Sequence, residues 1–179
     1  ERSYKLNIHD DIDHTVDIPL NGLEKYITEE NFKPRDYQLR AVAHAIRNNR
    51  ALILSPTASG KSYIIYSLLK YYLRKPCKKA LLVVPTVSLV SQMDGDIKEY
   101  SSGKFHEPHL IMSGKEKDDP NAKFYISTWQ SIFKQPKSWF DQFDLIIGDE
   151  AHLFKANSLT KIMEKLTDCK YRFGFTGTL

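Results

Sequence analysis

The segment Ser55-Pro56-Thr57-Ala58-Ser59-Gly60-Lys61-Ser62 constrains this chain more than any other. It follows the apolar run Ala51-Leu52-Ile53-Leu54 and precedes Tyr63-Ile64-Ile65-Tyr66-Ser67-Leu68-Leu69. A buried strand is therefore expected to turn through a loop of small residues into a helix. In that setting successive backbone N–H groups and the positive end of the helix converge on a phosphate. Lys61 then reaches the β- and γ-phosphates of a nucleotide, the Ser62 hydroxyl ligates Mg²⁺, and Thr57, Ala58, Ser59 and Gly60 form the cradle. The regular pattern opens with glycine where this chain has Ser55, so it matches only from Gly60 onward. An ordinary strand-to-helix turn rich in small residues fits the same letters, and the loop needs a second anchor.

That anchor is Asp144-Leu145-Ile146-Ile147-Gly148, a second buried strand, ending in Asp149-Glu150-Ala151-His152. A carboxylate at a strand tip holds nucleotide-bound Mg²⁺ through water, here Asp149, and a second one, Glu150, polarises the attacking water as a general base. His152, one turn on, is placed to couple the site to another segment. A carboxylate pair that merely caps the following helix is the alternative, and the phosphate loop on a neighbouring parallel strand weighs against it.

Two further strands end in hydroxyls. Ala80-Leu81-Leu82-Val83-Val84 is apolar throughout, as a strand covered on both faces must be, and leads into Pro85-Thr86-Val87-Ser88-Leu89-Val90-Ser91-Gln92. Phe124-Tyr125-Ile126-Ser127 leads into Thr128-Trp129-Gln130-Ser131. Hydroxyls and free N–H groups at strand ends suit phosphate, although turns that cap the following helix explain the same residues. A closing strand, Tyr171 to Phe175, ends in Thr176-Gly177-Thr178, whose hydroxyls are candidates for linking a nucleotide site to a polynucleotide groove.

From Pro34 onward Leu39, Val42, Ala43 and Ile46 recur at helical spacing, in a helix ending near Asn48-Asn49. Arg35 and Gln38 share a face at its start. A glutamine amide reads the N6/N7 edge of adenine with one donor and one acceptor, and a guanidinium stacks on the ring; a solvent-exposed first turn is the alternative. The helix over 61–74 carries Tyr63, Tyr66, Tyr71 and Tyr72, expected to pack with their hydroxyls at the surface. Trp129 and Trp139 are expected to anchor helices on the sheet rather than to stack on bases.

Residues 1–33 read as a linker or the remnant of an upstream domain, with a short helical stretch from Asn21 to Ile27. His9, Asp10, Asp11, Asp13 and His14 within them read as a solvated acidic turn and not a metal site. Residues 1–34 hold eight acids against four bases, which leaves 22 bases and 14 acids in the remainder, a surplus of +8 that favours a phosphate-rich partner. Cys77 and Cys169 have no zinc-like spacing and read as free thiols of a reducing compartment. With no apolar run long enough to span a bilayer, a soluble intracellular protein is expected. Glu1 in place of Met, and Leu179 directly after a strand, suggest a piece of something longer.

Taken in order, these motifs resemble the first RecA-like motor domain of superfamily 2 helicases of the DEAH type, over residues 34–179. In that family's terms Arg35 and Gln38 resemble the adenine-recognising element, Ser55–Ser62 motif I, Pro85–Gln92 motif Ia, Thr128–Ser131 motif Ib, Asp149–His152 motif II and Thr176–Thr178 motif III. The segment Thr128–Ser131 with Lys134 to Phe140 is also similar to bacteriophage helicases of recombination and fork remodelling. The resemblance implies an α/β fold, a three-layer RecA-like P-loop domain with a mainly parallel central sheet. It implies ATP and Mg²⁺ as ligands, Lys61, Asp149 and Glu150 as catalytic residues, and polynucleotide contacts at Pro85, Thr86, Gln92, Thr128 and Gln130. His152, Thr176 and Thr178 would couple the two sites. It further implies branched or single-stranded DNA as partner and a second RecA-like domain that closes over ATP with arginine fingers, so that this chain alone would hydrolyse ATP slowly. An RNA helicase, or a translocase or binding module without strand unwinding, fits the same motifs.

Overall fold

The Ala80–Val84 strand is apolar at every position because helices cover both of its faces. In the computed structural model, which describes residues 19–56, 59–74, 77–112, 116–150 and 156–177, six strands form one sheet. They are β1 (Arg50–Leu54), β2 (Ala80–Val84), β3 (His109–Ile111), β4 (Phe124–Thr128), β5 (Leu145–Gly148) and β6 (Tyr171–Thr176). Their order is β1-β6-β5-β2-β4-β3 and every pairing is parallel. Parallel neighbours require crossovers, and most of these carry helices: α3 (Lys61–Leu73) follows β1, α4 (Val87–Tyr100) follows β2, the single turns α5 (Trp129–Ile132) and α6 (Lys137–Phe140) follow β4, and α7 (Ala156–Lys165) follows β5, while α1 (Leu20–Ile27) and α2 (Asp36–Asn48) precede β1.

Alternation along the strands divides the core in two. Leu82, Val84, Phe124, Ile126, Leu145 and Ile147 point to one face, where α1 to α4 cover them with Ile27, Val42, Ile64, Leu68 and Val90. Leu81, Val83, Tyr125 and Ile146 point to the other, against Trp139, Phe140 and Phe143 and against Ile162 and Leu166 of the α7 region. This is the three-layer α/β architecture expected from the sequence. Trp139 is an anchor as expected: it is buried, packs edge-on to Phe140 with ring centroids 4.9 Å apart, and donates its indole N–H to the Lys117 carbonyl at 3.2 Å.

Two sequence expectations change. The apolar run at 51–54 read as a buried strand, yet among the described residues β1 pairs only with β6, and Leu52 and Leu54 are 63% and 38% exposed. A run of apolar letters reports the preference of a strand for cover and says nothing of how many neighbours it has. Tyr63 and Tyr66 of α3 do not turn their hydroxyls to the surface. Tyr63 donates to the Ile27 carbonyl at 2.6 Å and to the Phe32 carbonyl at 3.1 Å, and Tyr66 donates to the Glu29 carboxylate. Residues 19–33 explain this inversion. They pack on the domain, with Leu23 and Ile27 in the core, and present carbonyls and Glu29 to the tyrosines.

No described helix is long and apolar enough to cross a membrane. The acidic turn at His9–His14 lies outside the described residues.

Candidate functional site

All six strands being parallel, their carboxyl ends lie along one edge of the sheet, and the motifs collect there. The phosphate loop leaves β1 beside β6, with the Ser55 N–H donating to the Thr176 carbonyl at 2.8 Å. Ser55, which stands where the usual pattern has glycine, closes the loop on itself through a 2.6 Å hydrogen bond between its hydroxyl and that of Ser59. Gly60 is required twice over. Its φ is +70°, and a Cβ there would lie 2.4 Å from Nε2 of Gln38.

Gln38 is buried beneath this loop. Its Nε2 donates to the Ser59 carbonyl at 3.1 Å and the Gly60 carbonyl at 3.2 Å, while Oε1 accepts the Arg35 N–H at 2.9 Å. The Arg35 guanidinium donates to the Tyr37 hydroxyl at 3.1 Å, which in turn donates to the Ser59 carbonyl at 2.6 Å. With both amide hydrogens engaged, Gln38 keeps an acceptor lone pair for an adenine amine but no donor for the ring nitrogen, so the two-point contact expected from sequence loses half its chemistry in this conformation. The triplet Arg35, Tyr37 and Gln38 braces the loop.

Lys61 opens α3 and reaches across to the tip of β5. Its Nζ lies 2.8 Å from Oδ1 of Asp149 and is also bonded to Oε1 of Glu150. The other Glu150 oxygen accepts the Gly177 N–H at 3.3 Å. Burial pushes the Asp149 carboxyl up, and Lys61 pulls it back toward the charged form. Glu150 itself adopts φ +49°, a left-handed conformation uncommon for a non-glycine residue. Lys61, Ser62, Asp149 and Glu150 line one cavity of about 360 Å³, closed on its far side by α4 through Leu89, Gln92, Met93 and Asp96. Ser62 is held there by a 2.8 Å hydrogen bond between its hydroxyl and that of Tyr100.

The donor set fits Mg²⁺. Among the described residues no three His, Cys, Asp or Glu side chains form a dedicated metal cage. Magnesium is usually bound by one or two carboxylates with substrate phosphates, and a hydroxyl plus one carboxylate, Ser62 and Asp149, matches that habit.

A second cavity, of about 540 Å³, lies further along the same edge and is lined by Pro85, Thr86, Lys117, Thr128, Gln130 and Ser131. Thr86 caps α4, its hydroxyl 2.9 Å from that of Ser88, and Thr128 pairs with Ser131 at 2.9 Å. Gln130 ties the two loops together by donating to the Pro85 carbonyl at 3.3 Å. Four of the five polynucleotide candidates thus share one groove, while Gln92 lines the cavity at Lys61. Thr176 is buried between the two loops that carry Ser55 and Glu150. Thr57, Ala58, His152 and Thr178 lie outside the described residues.

Sequence reasoning passed over Lys117 and Asp96. Lys117 falls in a charge run that reads as a solvated loop, and Asp96 is one acid on a mixed helix. Only the helical spacing 89, 92, 93, 96, read from the motif onward, signals that Asp96 faces the loop.

Residues 31–179 match the family described as type III restriction enzyme, res subunit. The ATP-dependent DNA helicase uvsW of Enterobacteria phage T4 is 37% identical over 163 residues, which are 89% of this chain and 32% of that protein. The DNA 3'-5' translocase XPB2 of Sulfurisphaera tokodaii is 27% identical over 180 residues, 99% of this chain and 37% of its own length. A crystal structure of the UvsW helicase from bacteriophage T4 superposes with a TM-score of 0.80 at 32% identity, over 93% of this chain and 62% of that one. The likeness read from Thr128 to Phe140 therefore extends over most of the chain, which spans about a third of the length of these curated relatives.

Proposed function

Because this chain belongs to the type III restriction enzyme res-subunit family and forms the first RecA-like domain of a superfamily 2 helicase motor, we propose that it binds and hydrolyses ATP to drive movement on DNA, branched DNA in particular. The observation that carries the proposal is the bonding of one loop lysine, Lys61, to both strand-tip carboxylates in the lining of one cavity.

Side-chain ion pairs of this kind are exchangeable. The γ-phosphate of an entering nucleotide offers Lys61 a partner of higher charge, and Lys61 leaves Glu150 for it. Glu150, still oriented by the Gly177 N–H on its other oxygen, is then free to take a proton from water. The water oxygen bonds to the γ-phosphorus, the bond to the bridging oxygen breaks, the proton goes to Glu150, and ADP and phosphate leave. Ser62 and Asp149 would hold Mg²⁺, which would neutralise phosphate charge when bound. Lys61 adds to that neutralisation, and in the complete motor an arginine of the second RecA-like domain stabilises the charge of the transition state.

The groove at Thr86 and Thr128 presents hydroxyls and strand-end N–H groups, which hold a sugar–phosphate backbone without reading bases. Both relatives named above are DNA enzymes, and this favours DNA over RNA as the backbone held.

The test is ATP hydrolysis by this chain with no nucleic acid, with linear duplex, with a branched junction and with a matched RNA. The expected result is slow turnover that DNA accelerates, the junction most. Acceleration by RNA alone would reassign the substrate, and no turnover at all with normal ATP binding would leave a nucleotide-controlled binding module.

A further inference from the structure

The two cavities along the carboxyl edge of the sheet differ in charge. Lys61 shares its cavity with three carboxylates, those of Asp96, Asp149 and Glu150. Among the described residues that line the groove at Thr86 and Thr128 there is no acid, and Lys117 is the one charge.

Lys117 comes from the connection between β3 and β4 and is fastened at both ends. Its carbonyl accepts the indole N–H of the buried Trp139 at 3.2 Å, and its ammonium donates to the carbonyl of Met112, just past the end of β3, at 3.3 Å. The aspartates that follow it in sequence are engaged elsewhere. Asp118 accepts the Tyr125 hydroxyl at 3.2 Å, and Asp119 accepts the Asn121 N–H at 2.9 Å. Among the described residues no carboxylate pairs with Lys117.

An ammonium carries three donors, and the Met112 carbonyl takes one without cancelling any charge. The full charge and two N–H groups are left at the groove. The hydroxyls of Thr86, Thr128 and Ser131 are neutral: they fix where a phosphodiester sits but displace none of its counterions. A cation does displace them, and that release supplies the salt-dependent part of polynucleotide affinity. A lysine ammonium is a point charge that any phosphate satisfies, whatever base it carries.

We propose that Lys117 is a phosphate contact of the bound polynucleotide and supplies the charge that the hydroxyls of the groove lack. The inference rests on the reading of this groove as the seat of a sugar–phosphate backbone.

The test is the affinity of this chain for a fluorescein-labelled oligothymidylate, followed by anisotropy over a series of salt concentrations. Lys117→Gln is expected to reduce the slope of log K against log[salt] by about 0.7, and so to weaken binding about fivefold more for each tenfold dilution of the salt. Lys117→Arg should keep the wild-type slope. Lys98→Gln removes an ammonium already paired with Asp94 at 3.0 Å and Glu107 at 3.2 Å, and should leave the slope unchanged. Thr86→Ala should weaken binding at every salt concentration without changing the slope. Melting curves identify any variant that fails to fold, and Lys117→Met carries the test if Lys117→Gln does not fold. An unchanged slope in folded Lys117→Gln, with weakened binding in Thr86→Ala, would overturn this inference alone. An equal fall of the slope in Lys98→Gln would also overturn it, since any surface charge would then serve. Unchanged binding in both Lys117→Gln and Thr86→Ala, or no binding by the wild type, would overturn the reading of the groove as well.

Discussion

Lys61 and Lys79 stand at opposite ends of the same parallel sheet, and their partners differ in kind. Lys79, at the amino end, donates to the Asp119 carbonyl at 2.9 Å and to the Tyr125 hydroxyl at 2.8 Å. Around it Asp144 accepts the Lys78 N–H at 2.8 Å, and the Arg172 guanidinium donates to the carbonyls of Cys169, at 3.2 Å, and Leu166. Lys61, at the carboxyl end, is held by two acidic side chains. Charges bonded to backbone are fixed as long as the fold lasts, whereas charges bonded to other mobile charges change partner when a stronger one arrives. The same residue types therefore seal one end of the sheet and arm the other.

The largest effect expected from this contrast is at Glu150. Glu150→Gln removes the general base but keeps its shape and its Gly177 contact, so hydrolysis should fall by at least about 100-fold with nucleotide affinity and melting temperature little changed. Single-turnover hydrolysis checks this, and turnover at the wild-type rate would remove Glu150 from the mechanism. At the amino end the signs reverse. Asp144→Ala removes a buried carboxylate that accepts the Lys78 N–H and is expected to cost roughly 1–3 kcal/mol of stability in urea unfolding, with nucleotide affinity unchanged. A loss of affinity without a loss of stability would erase the distinction between the two ends.

A smaller effect comes from the thiols at the sealed end. Burial pushes Cys77 from its ordinary 9.0 up to about 12 and Cys169 up to about 11. Folded values above unfolded ones mean that stability is fully present below pH 9 and is lost as pH rises through the folded values. Tyr63, pushed from 10.0 to about 12 by burial, adds the same sign from pH 10 upward. The urea midpoint should thus begin to fall near pH 9, and the double variant Cys77→Ala, Cys169→Ala should delay the onset toward the tyrosine range. An identical onset in the variant would contradict the assignment.

The two ends were also unequally legible. Gly60-Lys61-Ser62 and Asp149-Glu150 could be read from sequence because each is a local signal, a loop or strand tip whose chemistry sits in consecutive letters. The two-layer cover of the sheet followed from the continuous apolar runs at β2 and β5. The inward hydroxyls of Tyr63 and Tyr66 could not be read, since their partners at Ile27, Phe32 and Glu29 lie 31 to 37 residues away. Asp96 and Lys117 were missed for the same reason, being single charges whose meaning comes from what the fold sets opposite them. Gln38 was read as an adenine contact, but the direction of its amide was decided by the carbonyls of Ser59 and Gly60.

The most direct test of the central claim, that the paired charges at Lys61 form an exchangeable phosphate site, is calorimetric titration of a non-hydrolysable ATP analogue with Mg²⁺ into wild type and Lys61→Ala. Saturable one-to-one binding by wild type, weakened at least about tenfold in the variant as two carboxylates that have lost their lysine face the phosphates, is the predicted result. Equal affinity in the two proteins would contradict it.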